Sequence, residues 1–224
     1  MPSLAQRVFA EWLGAAFLLA AVVGSGIMAA KLAGGNNALA LLCNTIATGA
    51  MLAVLILVFG PLSGAHFNPA VSVAFALRRA LPWREAAAYV AAQVAGGIVG
   101  VWAAHLMFDL TVWQFSTTMR TGAGQWLAEA VATFGLLVTI FGCVARTPAA
   151  APYAVALYIT SAYWFTASTS FANPAVTIAR SLSDTFAGIA PAGIVAFIAA
   201  QLAGMLAAVL LVHWFWTSTK SASI

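Results

Sequence analysis

Charged residues are scarce in this sequence. Of its 224 residues, 9 are Lys or Arg and 5 are Asp or Glu, so 6% of the chain is charged while 63% is hydrophobic. Soluble domains carry about 25% charged residues, so this composition excludes a water-exposed globule. A transmembrane helix needs about 20 residues, so the length allows about six crossings and two shorter insertions. The sequence therefore predicts an all-α, multi-pass membrane protein.

The sequence also lacks the motifs of enzymes, metal sites and nucleic-acid binding. It contains no phosphate-binding loop, nucleophile elbow or carboxylate pair, and its basic residues form no patch. Cys43 and Cys143 lie in apolar runs without a CxxC spacing, and His105 and His213 are isolated. We expect no enzymatic activity, cofactor, metal or nucleic-acid partner. Since the first apolar run is too long for a signal peptide, we also expect no cleavage.

The tripeptide Asn-Pro-Ala occurs twice, each time inside apolar sequence. The first box is Asn68-Pro69-Ala70 and the second is Asn173-Pro174-Ala175. Asn is a preferred helix N-cap, and Pro is favoured at the first helical position. Each box therefore predicts a helix that begins abruptly within a membrane-embedded segment.

Six spans are predicted from the apolar runs, at about 8–30, 38–58, 82–108, 125–144, 152–165 and 191–216. Gly60 and Pro61 are expected to close the second span, because Pro disrupts a helix interior. The aromatic run 214–216 is expected to anchor the last span at the membrane interface. Two shorter segments, 63–81 and 166–188, contain the boxes.

The order of features repeats in the two halves of the chain. Glu11 and Glu129 lie 118 residues apart, and the two boxes lie 105 residues apart. The Ala-Ala-Gln motifs, which end at Gln93 and Gln201, are separated by 108 residues. This pattern indicates an internal duplication with halves at about 7–108 and 125–216, within a single domain of residues 1–224. Because each half has three crossings, the halves should insert in opposite orientations.

Lys and Arg positions predict the orientation in a cell inner (plasma) membrane. With both termini cytoplasmic, six basic residues fall inside and three outside. The inner set is Arg7, Arg78, Arg79, Arg84, Arg146 and Lys220, and the outer set is Lys31, Arg120 and Arg180.

Inverted half-helices of about 7 to 10 residues each would span about half of the hydrocarbon core, so their N-termini should meet near the midplane. Both helix dipoles then point at one spot and repel cations, while neutral molecules pass. Asn68 and Asn173 would donate hydrogen bonds to a passing solute. The extended residues before the boxes would offer carbonyl acceptors, from Gly64, Ala65, His66, Ser168 and Thr169.

With these features, the chain resembles the major intrinsic proteins, the aquaporins and aquaglyceroporins, over almost its whole length. The resemblance rests on the duplicated halves, the stretch Ser63–Val71, the two glutamates and both boxes. It implies an aquaporin-like fold of six transmembrane helices and two re-entrant half-helices, forming one pore per subunit of a homotetramer. It also implies that Glu11 and Glu129 accept hydrogen bonds from the re-entrant loops, although an intramembrane glutamate is also a candidate proton relay.

By its spacing from the boxes, the family's outer selectivity filter corresponds to Thr48, Ser161, Ser170 and Val176. The family almost always has Arg at the last of these positions. Val176 therefore predicts a wider and less positive gate, suited to water and small uncharged solutes such as glycerol or metalloid hydroxides of the arsenite type. Many glycerol channels have an acidic residue where Thr177 stands, so the closest resemblance is to an atypical bacterial branch of the aquaglyceroporins.

Arg180 has two interpretations. It lies one helical turn beyond Val176, where it would place a cation in the outer vestibule. It also lies four residues before Asp184, and an ion pair between the two is the interpretation we favour from the sequence.

Three other functions remain open. A coupled secondary transporter also uses inverted repeats and broken helices, but the scarcity of ionisable residues argues against it. A strict water channel and a non-conducting structural protein are the remaining alternatives, and the small residues at the expected gate argue against a blocked pore.

Overall fold

The computed structural model describes the backbone of residues 2–217 and the side chains up to residue 215, so Lys220 lies outside the described residues. Eight α-helices occur in this part of the chain, with no strand. They are α1 (Leu4–Leu32), α2 (Asn37–Ser63), α3 (Pro69–Leu77), α4 (Trp83–Met107), α5 (Ala123–Arg146), α6 (Ala151–Phe165), α7 (Pro174–Arg180) and α8 (Ile194–Thr217). The predicted all-α fold is confirmed.

Five helices, α1, α2, α4, α5 and α8, are long and apolar enough to cross a membrane within the described residues. The remaining predicted span, 152–165, corresponds to α6, which has 15 residues and follows a 3-10 turn at Pro148–Ala150. The spans therefore agree with the predicted ranges to within a few residues at most ends.

The end of α2 differs from the sequence prediction. The helix continues through Pro61 to Ser63 instead of ending at Gly60-Pro61. Pro61 has no N–H for the carbonyl of Leu57, so α2 loses one backbone hydrogen bond there, but only two residues of the helix follow it. The helix ends at Gly64, which adopts the left-handed conformation at φ 90° and donates its N–H to the Gly60 carbonyl.

Both short helices begin at the boxes, as the Asn-Pro sequence predicts. The side-chain oxygen of Asn68 accepts the Ala70 N–H at 2.9 Å, and that of Asn173 accepts the Ala175 N–H at 2.9 Å. Pro69 and Pro174 occupy the first helical positions. Helices α3 and α7 have 9 and 7 residues, so each is long enough to cross only about half of a bilayer.

Long helices pack in equivalent ways in the two halves. Helix α1 packs against α2 and α4, and α5 packs against α6 and α8. Helices α2 and α6 join the halves, while α3 and α7 each contact both α4 and α8. Each half-helix is therefore held partly by the other half of the chain.

Glycines allow the closest helix contacts. A Cβ added to Gly100 of α4 would lie 2.1 Å from the backbone oxygen of Ala16 on α1. In the second half, a Cβ on Gly204 of α8 would lie 2.1 Å from the backbone oxygen of Ala130 on α5. The α1–α4 and α5–α8 backbones therefore approach each other at distances that only glycine allows.

We expect Gly100→Ala to lower stability by about 1 to 3 kcal/mol, because the methyl group must displace the α1 backbone. Thermal unfolding of the detergent-solubilised protein would measure the change. Gly142→Ala on α5 is the matched control, since a Cβ there meets no atom within 4 Å. Equal unfolding temperatures for the two variants would contradict close packing at Gly100.

Candidate functional site

The N-termini of α3 and α7 meet inside the protein, where hydrogen bonds join the boxes. The Asn68 Nδ2 donates to the Ala172 carbonyl at 2.8 Å, and the Asn173 Nδ2 donates to the Phe67 carbonyl at 2.8 Å. Both asparagines line a cavity of about 130 Å³. An amide nitrogen has two N–H groups, so each Asn keeps one donor beyond this cross-link.

Glu11 holds the loop that precedes the first box. Its carboxylate accepts the backbone N–H groups of His66 at 2.9 Å and Phe67 at 2.7 Å. It also accepts hydrogen bonds from Ser63 Oγ at 2.6 Å and Gln93 Nε2 at 2.7 Å. These bonds compensate for the burial of a side chain that is 0% exposed.

Glu129 makes the equivalent contacts with two backbone N–H groups and a glutamine in the second half. Its carboxylate accepts the N–H groups of Phe171 and Ala172, both at 2.9 Å, and Gln201 Nε2 at 2.6 Å. Gln201 also donates to the Thr177 hydroxyl at 2.9 Å. Because these donors occupy the carboxylate oxygens, the geometry fits a loop-holding residue better than a proton relay.

The loops before the boxes have unusual backbone angles. Ala65 and Phe67 have φ values of 50° and 48°, and the equivalent Ser170 and Ala172 have 50° and 49°. Non-glycine residues rarely adopt such angles, and they persist where surrounding contacts enforce them. The glutamate hydrogen bonds supply that enforcement.

The predicted carbonyl residues differ in where they lie. Gly64, Ala65 and His66 line the cavity. Thr169 instead lines a second cavity at the α7 end of the pore. The carbonyl of Ser168 accepts the Arg120 guanidinium at 3.4 Å. Because a carbonyl oxygen has a second lone pair, its predicted contact with a solute stays a prediction.

Three of the four predicted gate residues line the cavity near its α7 end, namely Thr48, Ser170 and Val176. Ser161 is exposed on the outside of the helix bundle, so its predicted place in the gate is wrong. The cavity wall from α6 is instead formed by Val155, Ile159 and Tyr163.

Helix phase explains this error. Residues of an α-helix are rotated by about 100° each, so Ser161 and Tyr163 point in nearly opposite directions. Counting twelve positions back from Asn173 ignores the turn at Thr166–Thr169, which sets the phase of α6 relative to the box. The Tyr163 hydroxyl donates to Thr48 Oγ1 at 3.4 Å, so these two side chains together form the wall of the gate on this side.

Arg180 does not pair with Asp184, so the favoured interpretation is wrong. Its Nε donates to the Ala187 carbonyl, and its guanidinium lies 3.5 Å from the centre of the Phe171 ring. Only 2% of the residue is exposed. Since Arg180 lines both the pore cavity and the second cavity, it lies where the two adjoin, as the vestibule interpretation requires.

Asp184 binds the loop between the halves instead. It accepts the backbone N–H of Thr117 at 2.8 Å and the Thr117 hydroxyl at 2.9 Å. These two donors lower the pKa of Asp184 below its ordinary value. The ionised carboxylate thus fastens Thr117 to the segment after α7, and the backbone N–H of Asp184 donates to the Gln114 side-chain oxygen at 2.9 Å.

Sequence reasoning missed Arg120, which lies in this loop. Its Nε donates to the Gly188 carbonyl at 2.8 Å, and its guanidinium lies 5.1 Å from the centre of the Phe171 ring. Burial lowers the pKa of Arg120. The only sequence signal was one Arg within the long polar connection 109–124 of a chain that lacks the filter Arg.

No group of three potential metal ligands occurs among the described residues. His105 uses both ring nitrogens in contacts, with the Val112 carbonyl at 3.0 Å and the Ser183 hydroxyl at 2.9 Å. Its role is therefore to pack the loop against α4.

Three comparisons agree with this geometry. The family model described as "Major intrinsic protein" matches residues 1–152. Aquaglyceroporin AqpS of Rhizobium meliloti (strain 1021) is 57% identical over 211 residues, covering 94% of this chain and 90% of that protein. The probable aquaporin NIP4-2 of Arabidopsis thaliana is 37% identical over 142 residues, covering 62% of this chain and 49% of that protein.

A solved structure shows the same fold. The aquaglyceroporin from Plasmodium falciparum has a TM-score of 0.75 with 20% identity, covering 95% of this chain and 96% of that one. The sequence, the half-helices and these comparisons give one conclusion: the chain belongs to the major intrinsic protein family, whose members are multi-pass membrane channels for water and small solutes and not enzymes.

Proposed function

We propose that the protein is a passive channel for water and small polyhydroxylated solutes, of the size of glycerol or a metalloid hydroxide such as arsenite. The observation that carries this proposal is the cavity lined by both box asparagines, Thr48, Ser170 and Val176. Residues of both halves line it, and none of the described residues that line it is acidic.

The centre of the pore is proposed to pass neutral solutes and repel cations. The N-termini of α3 and α7 both present a partial positive charge there. The free N–H groups of Asn68 and Asn173 are donors for a solute oxygen, and the carbonyls of Gly64, Ala65 and His66 are acceptors.

The gate is proposed to select solutes by its mixed chemistry. Thr48 and Ser170 bring hydroxyls, while Val176 and the Tyr163 ring bring apolar surface. A polyol can place its carbons against the apolar side and its hydroxyls against the polar side. The absence of Arg at Val176 leaves room for such a solute, and a relative that covers most of the chain is named an aquaglyceroporin.

We also propose the arrangement of the subunit. Residues 1–224 form one channel domain of two inverted repeats, in the inner (plasma) membrane with both termini cytoplasmic, because this orientation puts most basic residues inside. A homotetramer with one pore per subunit is proposed from the family.

Reconstituted full-length protein in liposomes tests the proposal. Stopped-flow light scattering under gradients of glycerol, urea or sorbitol would measure each permeability, and elemental analysis would measure arsenite uptake at neutral pH. We expect rapid glycerol entry that does not saturate and is independent of ion gradients, with sorbitol excluded.

Other outcomes would replace the proposal with a named alternative. Saturable flux that depends on Na⁺ or proton gradients would indicate a secondary transporter. Water flux without glycerol or arsenite flux would indicate a strict water channel. Permeabilities equal to those of protein-free liposomes would overturn a conducting role.

A further inference from the structure

Two arginines share one aromatic ring at the α7 end of the pore. The Arg180 guanidinium lies 3.5 Å from the centre of the Phe171 ring, and that of Arg120 lies 5.1 Å from it. Arg180 belongs to the second half, whereas Arg120 reaches the ring from the loop between the halves. Backbone carbonyls of Gly188, Ser168 and Ala187 hold the two guanidinium groups in place.

Neither arginine has an acidic partner in the part of the chain that the structure describes. The one salt bridge found there joins Arg7 to Glu85. Asp184 is bound to Thr117, and Glu129 is occupied by the loop before the second box. Two like charges are therefore held near each other without an ion-pair partner, and the Glu129 carboxylate acts on both only from a longer distance, so a bound anion would compensate them more directly.

Unused hydrogen-bond donors point to such a ligand. The Arg180 Nη1 is buried and has no hydrogen-bond partner among the described residues, and the same is true of Ser170 Oγ. Both residues are more than nine-tenths buried and line the pore cavity. A buried guanidinium N–H without a partner needs an acceptor in the functional state, and beside a second arginine an anion satisfies it better than water does.

A second cavity adjoins these groups. It has a volume of about 430 Å³. Its lining is formed by both arginines, by the polar residues Asn37, Asn44, Thr118 and Thr169, and by the apolar residues Leu41 and Phe186. None of the described residues that line it is acidic. The space and the donors are those of a site for a small oxygen-rich anion.

We propose that Arg120 and Arg180 form an oxoanion-binding site at this mouth of the channel, taking small anions such as phosphate or a carboxylate. Guanidinium groups bind such ligands in a forked, bidentate geometry. The site rests on the proposed channel function and extends it, because an anion seated there lies in the path between the mouth and the gate. Arg120 and Arg180 thereby supply, outside the gate, the positive charge that Val176 does not provide in the gate.

Phosphate inhibition of glycerol flux tests the site. Inorganic phosphate is added at equal concentration on both sides of proteoliposomes, with chloride replacing it at constant ionic strength. We expect phosphate to lower the glycerol permeability of the native channel. In Arg120→Gln, the half-inhibiting concentration should rise about tenfold or more, because charge-assisted hydrogen bonds are lost.

Arg84→Gln is the matched control, since Arg84 is an exposed arginine on α4 outside both cavities. Arg120→Lys keeps the positive charge but lacks the forked donors of a guanidinium, so phosphate should inhibit it to an intermediate degree. This variant replaces Arg120→Gln in the test if the Gln variant does not fold. Phosphate that inhibits native and Arg120→Gln channels equally, or inhibits neither, overturns the site. A native channel without glycerol flux in chloride overturns the proposed function instead.

Discussion

Val176→Arg should reduce glycerol permeability about 10-fold to 100-fold, the range that a change in the size of a binding site gives, while water still passes. The valine side chain lies at the gate with Thr48, Ser170 and Tyr163. An arginine there fills the space beside the Tyr163 hydroxyl and adds a third guanidinium near Arg180. Stopped-flow light scattering with water and glycerol gradients on the same vesicles measures both permeabilities.

Val176→Leu separates volume from charge. Leucine adds one methylene without charge, so it should reduce glycerol flux less than arginine does. Monodisperse elution in detergent must accompany each variant, because Val176 is buried beside Arg180 and misfolding would also remove flux. If Val176→Arg passes glycerol at the native rate, the side chain at this position does not set the gate.

The half-helices could be predicted because their signals are local. Asn followed by Pro caps a helix and starts it within two residues, and the pattern occurs in both halves. The glutamates could be placed because an ionised side chain inside a membrane needs donors. In the structure, the backbone N–H groups of the strained loops are these donors, and Glu11 and Glu129 accept their hydrogen bonds.

The failure at Arg180 follows from where α7 ends. An ion pair at i and i+4 requires both residues to lie on one continuous helix. Helix α7 ends at Arg180, so Asp184 lies on the following segment and faces Thr117. The length of a half-helix is set by tertiary contacts, which the local sequence does not encode.

Arg120 could not be assigned because its contacts are long-range. Its partners Ser168 and Gly188 are 48 and 68 residues away along the chain. Arg120 lies in a loop without a regular backbone repeat, so its position in the sequence does not indicate the direction in which its side chain points. The error at Ser161 is of the same kind, since the phase of α6 depends on the turn that follows it.

Glu129→Ala should cost about 3 to 5 kcal/mol of stability, because a buried donor left without its acceptor costs about 1 to 3 kcal/mol and three donors are affected. The side chain is fully buried, and its loss leaves the N–H groups of Phe171 and Ala172 and the amide of Gln201 without their acceptor. Because the site is 0% exposed, solvent does not reach these donors to replace the carboxylate. We expect a lower unfolding temperature in detergent and little glycerol flux in liposomes.

Glu85→Gln is the control for removing a carboxylate. Glu85 pairs with Arg7 at 2.7 Å, but both side chains are partly exposed, so water compensates for most of the loss. Its unfolding temperature should therefore change little. Glu129→Gln should lie between the two variants, because an amide keeps one acceptor oxygen but directs N–H groups at the loop donors. Equal unfolding temperatures for Glu129→Ala and Glu85→Gln would mean that the second re-entrant loop is held by its packing and not by this carboxylate.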